Sequence, residues 1–454
     1  IEDRLIDGLS FKLAPGASYI TDRRSVSFYP QGSNIYSSNS GTKLIRIVLT
    51  GDSWMDPSTF RLMFDITNND ATTGTGSTAA AQYATSHQLR PLLAPWAFFR
   101  RLRILAGGQL VEDIDYYNRV HHMFSLMNAK DSNVNNAAEG FGYANTEPKD
   151  FGDVLANFPG IPPTQSQTVL FKPLSGLLNQ PKYLPLRYMP LTLELELVNN
   201  YLDPILDPSH ALDVWNDTNT STSWQIQNVM VKCDMCTLDN ALDNSYAQHL
   251  LSGKSLPINY DTWVSQFQTI AGNWPQISIT RALTRLKSVF MTLDKDFGTT
   301  GYRGGVWWRK QWNDFYSPAS SYINGGTIMT YNKAGEFEFQ LQCGSKLYPE
   351  FPITSHAEAF YQLQKSLGVQ ASSLHNFNIN GLEYRDNKFI IGIDMEKVLE
   401  AGWTGLNTRA GDLLTIKFKY DSGLPNTNYA DRMHVVLHSD QILEIRDSGC
   451  AVFD

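Results

Sequence analysis

The sequence is poor in charge. Asp, Glu, Lys and Arg make up 18% of its 454 residues, below the ~25% usual in globular chains. Positive charge is the scarcer sign. A net charge of −8 argues against a protein that grips nucleic acid over a broad surface, although it leaves room for a local basic patch. Cysteine is scarce too, at four residues, and nothing in their spacing demands disulfides, so a reducing compartment fits. Cys233 and Cys236 form a lone CxxC with no second pair nearby. A zinc site needs about four ligands, and the strand-like pattern over residues 229–236 does not suit a redox helix start, so ordinary free thiols are expected. No run approaches ~18 uninterrupted apolar residues, so no helical membrane span is expected. No secretory signal is visible. The chain begins at Ile1 rather than Met, which leaves a preceding segment open.

Aromatic residues, by contrast, are plentiful at 12% and point to large cores or interfaces. The length suits two domains of about 200 residues each. One stretch organises the chain. Residues 101–127 read RLRILAGGQLVEDIDYYNRVHHMFSLM. Leu102 and Ile104 alternate with Arg101 and Arg103, as in a strand with one apolar face. Gly107 and Gly108 break the run, and Tyr117, Val120, His121 and Phe124 then fall at helical spacing. The pattern returns from Glu336 as EFEFQLQCGSKLYPEFPITSHAEAFYQLQKSL. Phe337, Phe339, Leu341 and Cys343 alternate with polar residues, Gly344 turns the chain, Leu347 matches Leu110, and residues 357–367 read as a short helix. The two copies lie about half a chain apart, which indicates an internal duplication.

Other segments fit the scheme. Residues 44–49 form an apolar strand, and Phe60, Leu62, Phe64 and Ile66 mark another. Leu191, Leu193, Leu195 and Leu197 alternate with polar neighbours, as do Leu414, Ile416, Phe418 and Tyr420 in the second half. Strands are also expected over 169–171, 224–236, 263–269, 286–293, 389–393, 433–437 and 442–445, with helices over 238–251 and 395–399. Long polar loops cover 69–88, 128–167, 199–223 and 294–334. Residues 1–15 are mildly amphipathic, read first as an arm packed on its domain and second as a segment touching an inner membrane or a neighbouring subunit. Many short strands, few helices and turn-rich connections indicate an all-β chain of two tandem eight-stranded antiparallel jelly rolls, with short helices and long loops. The boundary falls near residue 250, giving a first roll with its arm over 1–250 and a second over 251–454.

Tests for chemistry give little. The adjacent His121 and His122 point about 100° apart on a helix and rarely share one ion, so one packed and one solvated histidine are expected. Asp131, Asn133 and Asn135 resemble the start of a calcium loop, but position six is Asn136 and position twelve Gly142. Glu194 and Glu196 share a strand face and read as solvated rather than as an acid–base pair. Asp294-Lys295-Asp296 reads as a turn. There is no G-x-S-x-G elbow and no phosphate-cradling glycine loop, and Gly304-Gly305 has the spacing of neither. No catalytic, cofactor or metal residue is assigned. Asn216 and Asn219 head two sequons that matter only if the chain meets a glycosylation machinery, and they are expected to be unused.

Three segments carry a resemblance to a known family. They are LRILAGGQLVEDIDYYNRVHHMF (102–124), FKPLSGLLNQPKYLPLRYMPLTLELEL (171–197) and the C-terminal MHVVLHSDQILEIRDSGCAVFD (433–454). Their order, with the duplication, resembles the double jelly-roll major capsid proteins of large DNA viruses, virophages and polinton-like viruses; the C-terminal segment looks most like the last two. The resemblance implies a structural protein without enzymatic activity. Three chains would form a capsomer of pseudo-hexagonal outline that tiles an icosahedral shell in the virion, assembled inside the host cell. It also implies neighbouring capsomers, penton and minor capsid or cement proteins as partners, with no direct nucleic acid contact. The segment 302–316, YRGGVWWRKQWNDFY, interleaves Trp307, Trp308 and Trp312 with Arg303, Arg309 and Lys310. Trp, Tyr and Arg dominate interface hot spots, so packing within the loop or between subunits is expected first. Receptor or glycan contact comes second, and stacking on single-stranded nucleic acid third. Two alternatives from other classes share the architecture: a glycan hydrolase with carboxylates between its domains, and a lectin-like surface protein using the tryptophan loop.

Overall fold

The computed structural model of the chain describes residues 19–75 without 38 and 40, 86–128 without 92 and 93, 160–205, 221–294 without 273, then 312, 315, 317, 336–369, 379, 381, 384, 388–396, 404–409, 413–421 and 430–454. The first half supplies β1 (Ile20–Phe28), β2 (Leu44–Leu49), β3 (Trp54–Asn68), β4 (Phe99–Ala106), β5 (Gln109–Ile114), helix α1 (Tyr117–Leu126), β6 (Ser166–Phe171), β7 (Leu191–Leu197) and β8 (Trp224–Leu238). Helix α2 (Asn240–Leu251) follows, N-capped by the Asp239 side chain, which accepts from the Ala241 amide. The second half supplies β9 (Leu256–Thr269), β10 (Gln276–Ile279), β11 (Leu286–Asp294), β12 (Glu336–Cys343), β13 (Lys346–Ile353), α3 (His356–Ser366), β14 (Ile390–Asp394), β15 (Leu414–Asp421) and β16 (Arg432–Arg446). A last strand, β17 (Gly449–Phe453), folds back on β16.

The strands form four antiparallel sheets. Their orders are β1-β8-β3-β6 and β2-β7-β4-β5, then β9-β16-β11-β14 and β10-β15-β12-β13. Each strand from β9 to β16 occupies the place of its counterpart in the first half. Each set of eight strands is a jelly roll, and the chain is a double jelly roll.

Period-two patterning decides which face each strand buries. Along β7 the four leucines are buried while Thr192, Glu194 and Glu196 are half-buried. Fully burying such a side chain contributes about 1.5–3 kcal/mol. Opposed sheets meet through rings. Phe64 of β3 lies edge-on to Phe99 of β4 at 5.5 Å between centroids, and Phe337 of β12 lies edge-on to Phe389, the residue before β14, at 5.9 Å.

Several expectations need correcting. Residues 432–446 form one fifteen-residue strand, not two. The polar run His438-Ser439-Asp440-Gln441 looks like a turn in sequence, yet Ser439, Asp440 and Gln441 are buried, with Arg285 on Asp440 and Tyr260 on Gln441. β5 and β13 are full strands that close hairpins after the glycine turns. β9 begins at Leu256, before the expected start. Met395 and Glu396 leave β14 without entering a helix, and the rest of that expected helix lies outside the described residues. So do the arm over 1–15 and the calcium-like segment from Asp131 to Gly142.

Candidate functional site: the interface between the two rolls

The duplicated stretch builds the contact between the rolls. In β4–β5 the turn residues Gly107 and Gly108 have φ of 55° and 86°, a left-handed pair that only glycine adopts freely. A bidentate pair then locks the hairpin: Arg101 Nε and Nη2 donate to Asp113 at 2.7 and 2.6 Å. Tyr116, also left-handed at φ 47°, reverses the chain into α1. This turns its ring outward, where it stacks on Phe267 of β9 at 4.9 Å.

Helix α1 is apolar on two sides because each side faces a different roll. His121 turns inward among Trp96, Tyr117 and Phe171. Lost hydration, with His122 beside it, pushes its imidazole down to about 3, so it is neutral at pH 7. On the other side Phe124 meets Trp263 and Phe290 of the second roll at 5.6 and 5.3 Å. His122 packs on Trp312 and Phe315. The expectation of one solvated histidine is therefore corrected: His122 is buried, because second-roll aromatics cover the helix. The two rings serve different rolls and do not converge on an ion.

Polar groups pin the interface at its other end. The Tyr260 hydroxyl lies 3.1 Å from the Val111 carbonyl and 2.8 Å from the Gln441 side-chain oxygen. Ser265 donates to the Asp115 carbonyl, and Lys182 Nζ donates to the Pro257 carbonyl at 3.0 Å. Glu112 is buried and accepts from the Ser175 hydroxyl, the Gly176 amide at 2.8 Å and the Leu177 amide at 3.4 Å. Burial pushes its carboxyl up to about 7 despite these donors, and the Asp261 charge adds to the rise. A raised carboxyl is what a general acid needs, but the surrounding loop already occupies both oxygens of Glu112, so its role here is structural. Asp261 behaves oppositely. Partial burial works to raise it, but hydrogen bonds and charge from His438 and Lys287 outweigh this and hold it down to about 2. Its partners are Lys287 Nζ at 3.0 Å and His438 Nε2 at 3.3 Å.

Arg119 and Trp312 complete the contact. Arg119 forks onto Asp203 at 2.9 and 3.2 Å, and its guanidinium lies 4.7 Å above the Trp312 ring. Trp312 Nε1 donates to the Asp203 carbonyl at 2.6 Å. Trp312 is thus buried inside the chain, held against the first roll. Nearby, Asp294 is no exposed turn residue: it ends β11, fully buried, with Arg432 at 2.9 Å and His434 at 3.5 Å. Burial works to raise its carboxyl, yet the His434 hydrogen bond and the Arg432 charge prevail and hold it below the usual range. A void of about 10 Å³ remains between Tyr116, Arg119, Phe267 and His434, room for about one water and nothing larger.

The remaining expected sites fall as follows. Arg303, Trp307, Trp308 and Arg309 lie outside the described residues, as do Asn216 and Asn219. Glu194 is not solvated: it sits between Arg103 at 3.0 Å and Arg46 at 3.7 Å on the flanking strands, while Glu196 faces Arg100 at 3.6 Å. The pair is a cross-strand ion ladder. Cys233 lies in the core, where burial pushes its thiol up to about 12. Three residues on along β8, Cys236 points to the other face. Among the described residues no group of three or more His, Cys, Asp or Glu could hold a metal ion. Sequence reasoning missed Glu112, Gly176, Tyr260 and Asp261. Each acts through a partner in the other roll or a distant loop, which local pattern does not encode.

No family model matches the sequence, and no curated protein matches it. Solved structures do. The capsid of PBCV-1 virus aligns at TM-score 0.56 and 12% identity, over 97% of this chain and 98% of that one. The Sputnik virophage structure aligns at 0.55 and 10%, over 98% and 90%. The Faustovirus major capsid protein aligns at 0.53 and 10%, over 97% and 94%. The chain has the double jelly-roll fold of these viral proteins along nearly its whole length.

Proposed function

We propose that this chain is a major capsid protein, a non-enzymatic component of the virion of a DNA virus. Three copies form a capsomer of six rolls with a pseudo-hexagonal outline, and capsomers tile an icosahedral shell. Neighbouring capsomers, penton proteins and minor capsid or cement proteins are its partners, and the shell does not grip the genome directly. The domain boundary lies near residue 250. The observation that carries this reading is the docking of α1 and the β4–β5 hairpin onto β9, β11 and β16. A rigid pair of similar rolls is the unit that a threefold ring turns into a near-hexagon. The likeness over nearly full length to three capsid structures supports it. Light scattering of the purified chain tests it. A mass near three times 51.1 kDa is expected, whereas a monomer that binds or cleaves glycans would overturn the reading.

A further inference from the structure

One sheet face exists in both rolls, and its polar groups are used differently in each. On the outer face of β2-β7-β4-β5 they are matched within the chain. Glu194 lies between Arg46 and Arg103, Glu196 faces Arg100, and Arg101 forks onto Asp113. The corresponding face of β10-β15-β12-β13 is matched along β12 and β13 only. There the Gln340 amide donates to the Pro349 and Glu350 carbonyls, both at 3.0 Å, and the Gln342 amide to the Gly344 carbonyl at 2.8 Å.

Along β10 and β15 the face is open. Ile277, Ile279, Leu414, Ile416 and Phe418 are buried, so the residues that alternate with them point outward. Register sets Gln276 beside Lys417 and Ser278 beside Thr415. None of these four side chains has a hydrogen bond or an ion pair among the described residues. Trp274, two residues before Gln276, is 62% exposed. Its ring lies 4.9 Å from Lys419 Nζ, and its indole N–H has no acceptor among the described residues. Lys419 also faces Glu338 at 3.3 Å, so Lys417 carries the charge that these two strands leave unmatched among the described residues. From Lys419 to Thr415 the row spans about 13 Å, at ~3.3 Å per residue.

This set offers two kinds of surface. An exposed indole holds the C–H side of a sugar ring by contact and by removal of apolar area from water, and it keeps an N–H donor at its edge. Amide and hydroxyl groups donate to and accept from sugar hydroxyls. An ammonium with no counter-charge complements a carboxylate. Single-stranded nucleic acid fits less well, because its binders stack successive bases on several aromatic rings, and this chain has a net charge of −8.

We infer that Trp274, Gln276, Ser278, Thr415, Lys417 and Lys419 form a binding site for an acidic oligosaccharide, with the indole under one sugar ring and Lys417 on a sugar carboxylate. The site goes beyond the capsid reading and does not rest on it. The test titrates the full chain with trigalacturonate, with the neutral maltotriose and with a short oligothymidylate, followed by saturation-transfer NMR. Trigalacturonate is expected to bind about tenfold more tightly than maltotriose, the worth of one charge-assisted hydrogen bond. Trp274→Ala and Lys417→Gln, folded by circular dichroism, should each weaken it by a similar factor. Trigalacturonate that does not bind, that binds no more tightly than maltotriose, or that both variants hold as well as the wild type overturns the assignment. Tighter binding of the oligothymidylate, lost in Trp274→Ala, overturns it as well. If a variant does not fold, hydroxyl-radical footprinting of the wild type decides. Trigalacturonate should slow oxidation of Trp274 several-fold, and an unchanged rate overturns the assignment. Light scattering of the same sample keeps the two readings apart: a trimer that binds no acidic sugar sinks this inference alone.

Discussion

Gly176 and Asp261 touch backbone to backbone across the two rolls. A Cβ added at Gly176 would fall 1.4 Å from the Asp261 carbonyl oxygen and 2.5 Å from its carbon. No rotamer relieves such a clash, so Gly176→Ala must push β9 away from the loop that holds Glu112. We expect a loss of at least the ~1–3 kcal/mol typical of overpacked cores. Thermal unfolding checks it, with Gly51→Ala as the control, since a Cβ there meets only Met235 Cε at an ordinary 3.5 Å.

Glu112 makes the interface sensitive to pH. Burial raises its carboxyl from an ordinary 4.5 to about 7, so the folded state holds the proton more tightly than the unfolded state does. The stability it contributes is complete below about pH 4.5 and is lost as pH rises through about 7. The size is on the order of 3 kcal/mol. Glu112→Gln imitates the protonated form and removes this dependence. Denaturant unfolding across that window should show the wild type losing stability relative to the variant as pH rises, and parallel curves would refute it. Asp261 and Asp294 contribute with the opposite sign, their stability being lost as pH falls.

Trp312 ties its segment to the first roll by packing, by the Arg119 cation and by one hydrogen bond to Asp203. Trp312→Ala should cost ~3–5 kcal/mol. Trp312→Phe keeps most of the ring and should cost ~1 kcal/mol for the lost hydrogen bond. Chemical denaturation of the two variants separates packing from polarity.

Cys233 and Cys236 are buried on opposite faces of β8, and burial raises both thiols. Neither should react with a thiol reagent at neutral pH until the chain unfolds. Stopped-flow labelling of the native protein, with the tagged residues located by mass spectrometry, checks this; rapid modification at either position would contradict it.

Much of the fold was legible because its longest signals are local. The leucines of β7 and the alternating aromatics of β12 announce strands on their own, and the repeated glycine turn announced the duplication. The elements that escaped have a physical reason. Strand β13 carries Pro349 and Pro352, which weaken a strand pattern. β1 is mostly polar and exposed, and β10 has only four residues. The polar run in β16 imitated a turn because its side chains serve partners elsewhere: Asp440 holds Arg285 at 2.8 Å, and Gln441 faces Tyr260. The interface was hidden for the same reason. Glu112 looks like any surface acid until Ser175 and Gly176, more than sixty positions away, are folded against it.

Inside one chain, α1 and the β4–β5 hairpin hold the first roll against β9 and β11, and the proposed capsid role would set three such pairs of rolls in one ring. A cryo-electron microscopy map of the purified assembly tests it most directly. Six rolls around a threefold axis, alternating first and second, are expected. A map in which each chain stands alone, or in which the chains pair about a twofold axis, would contradict it.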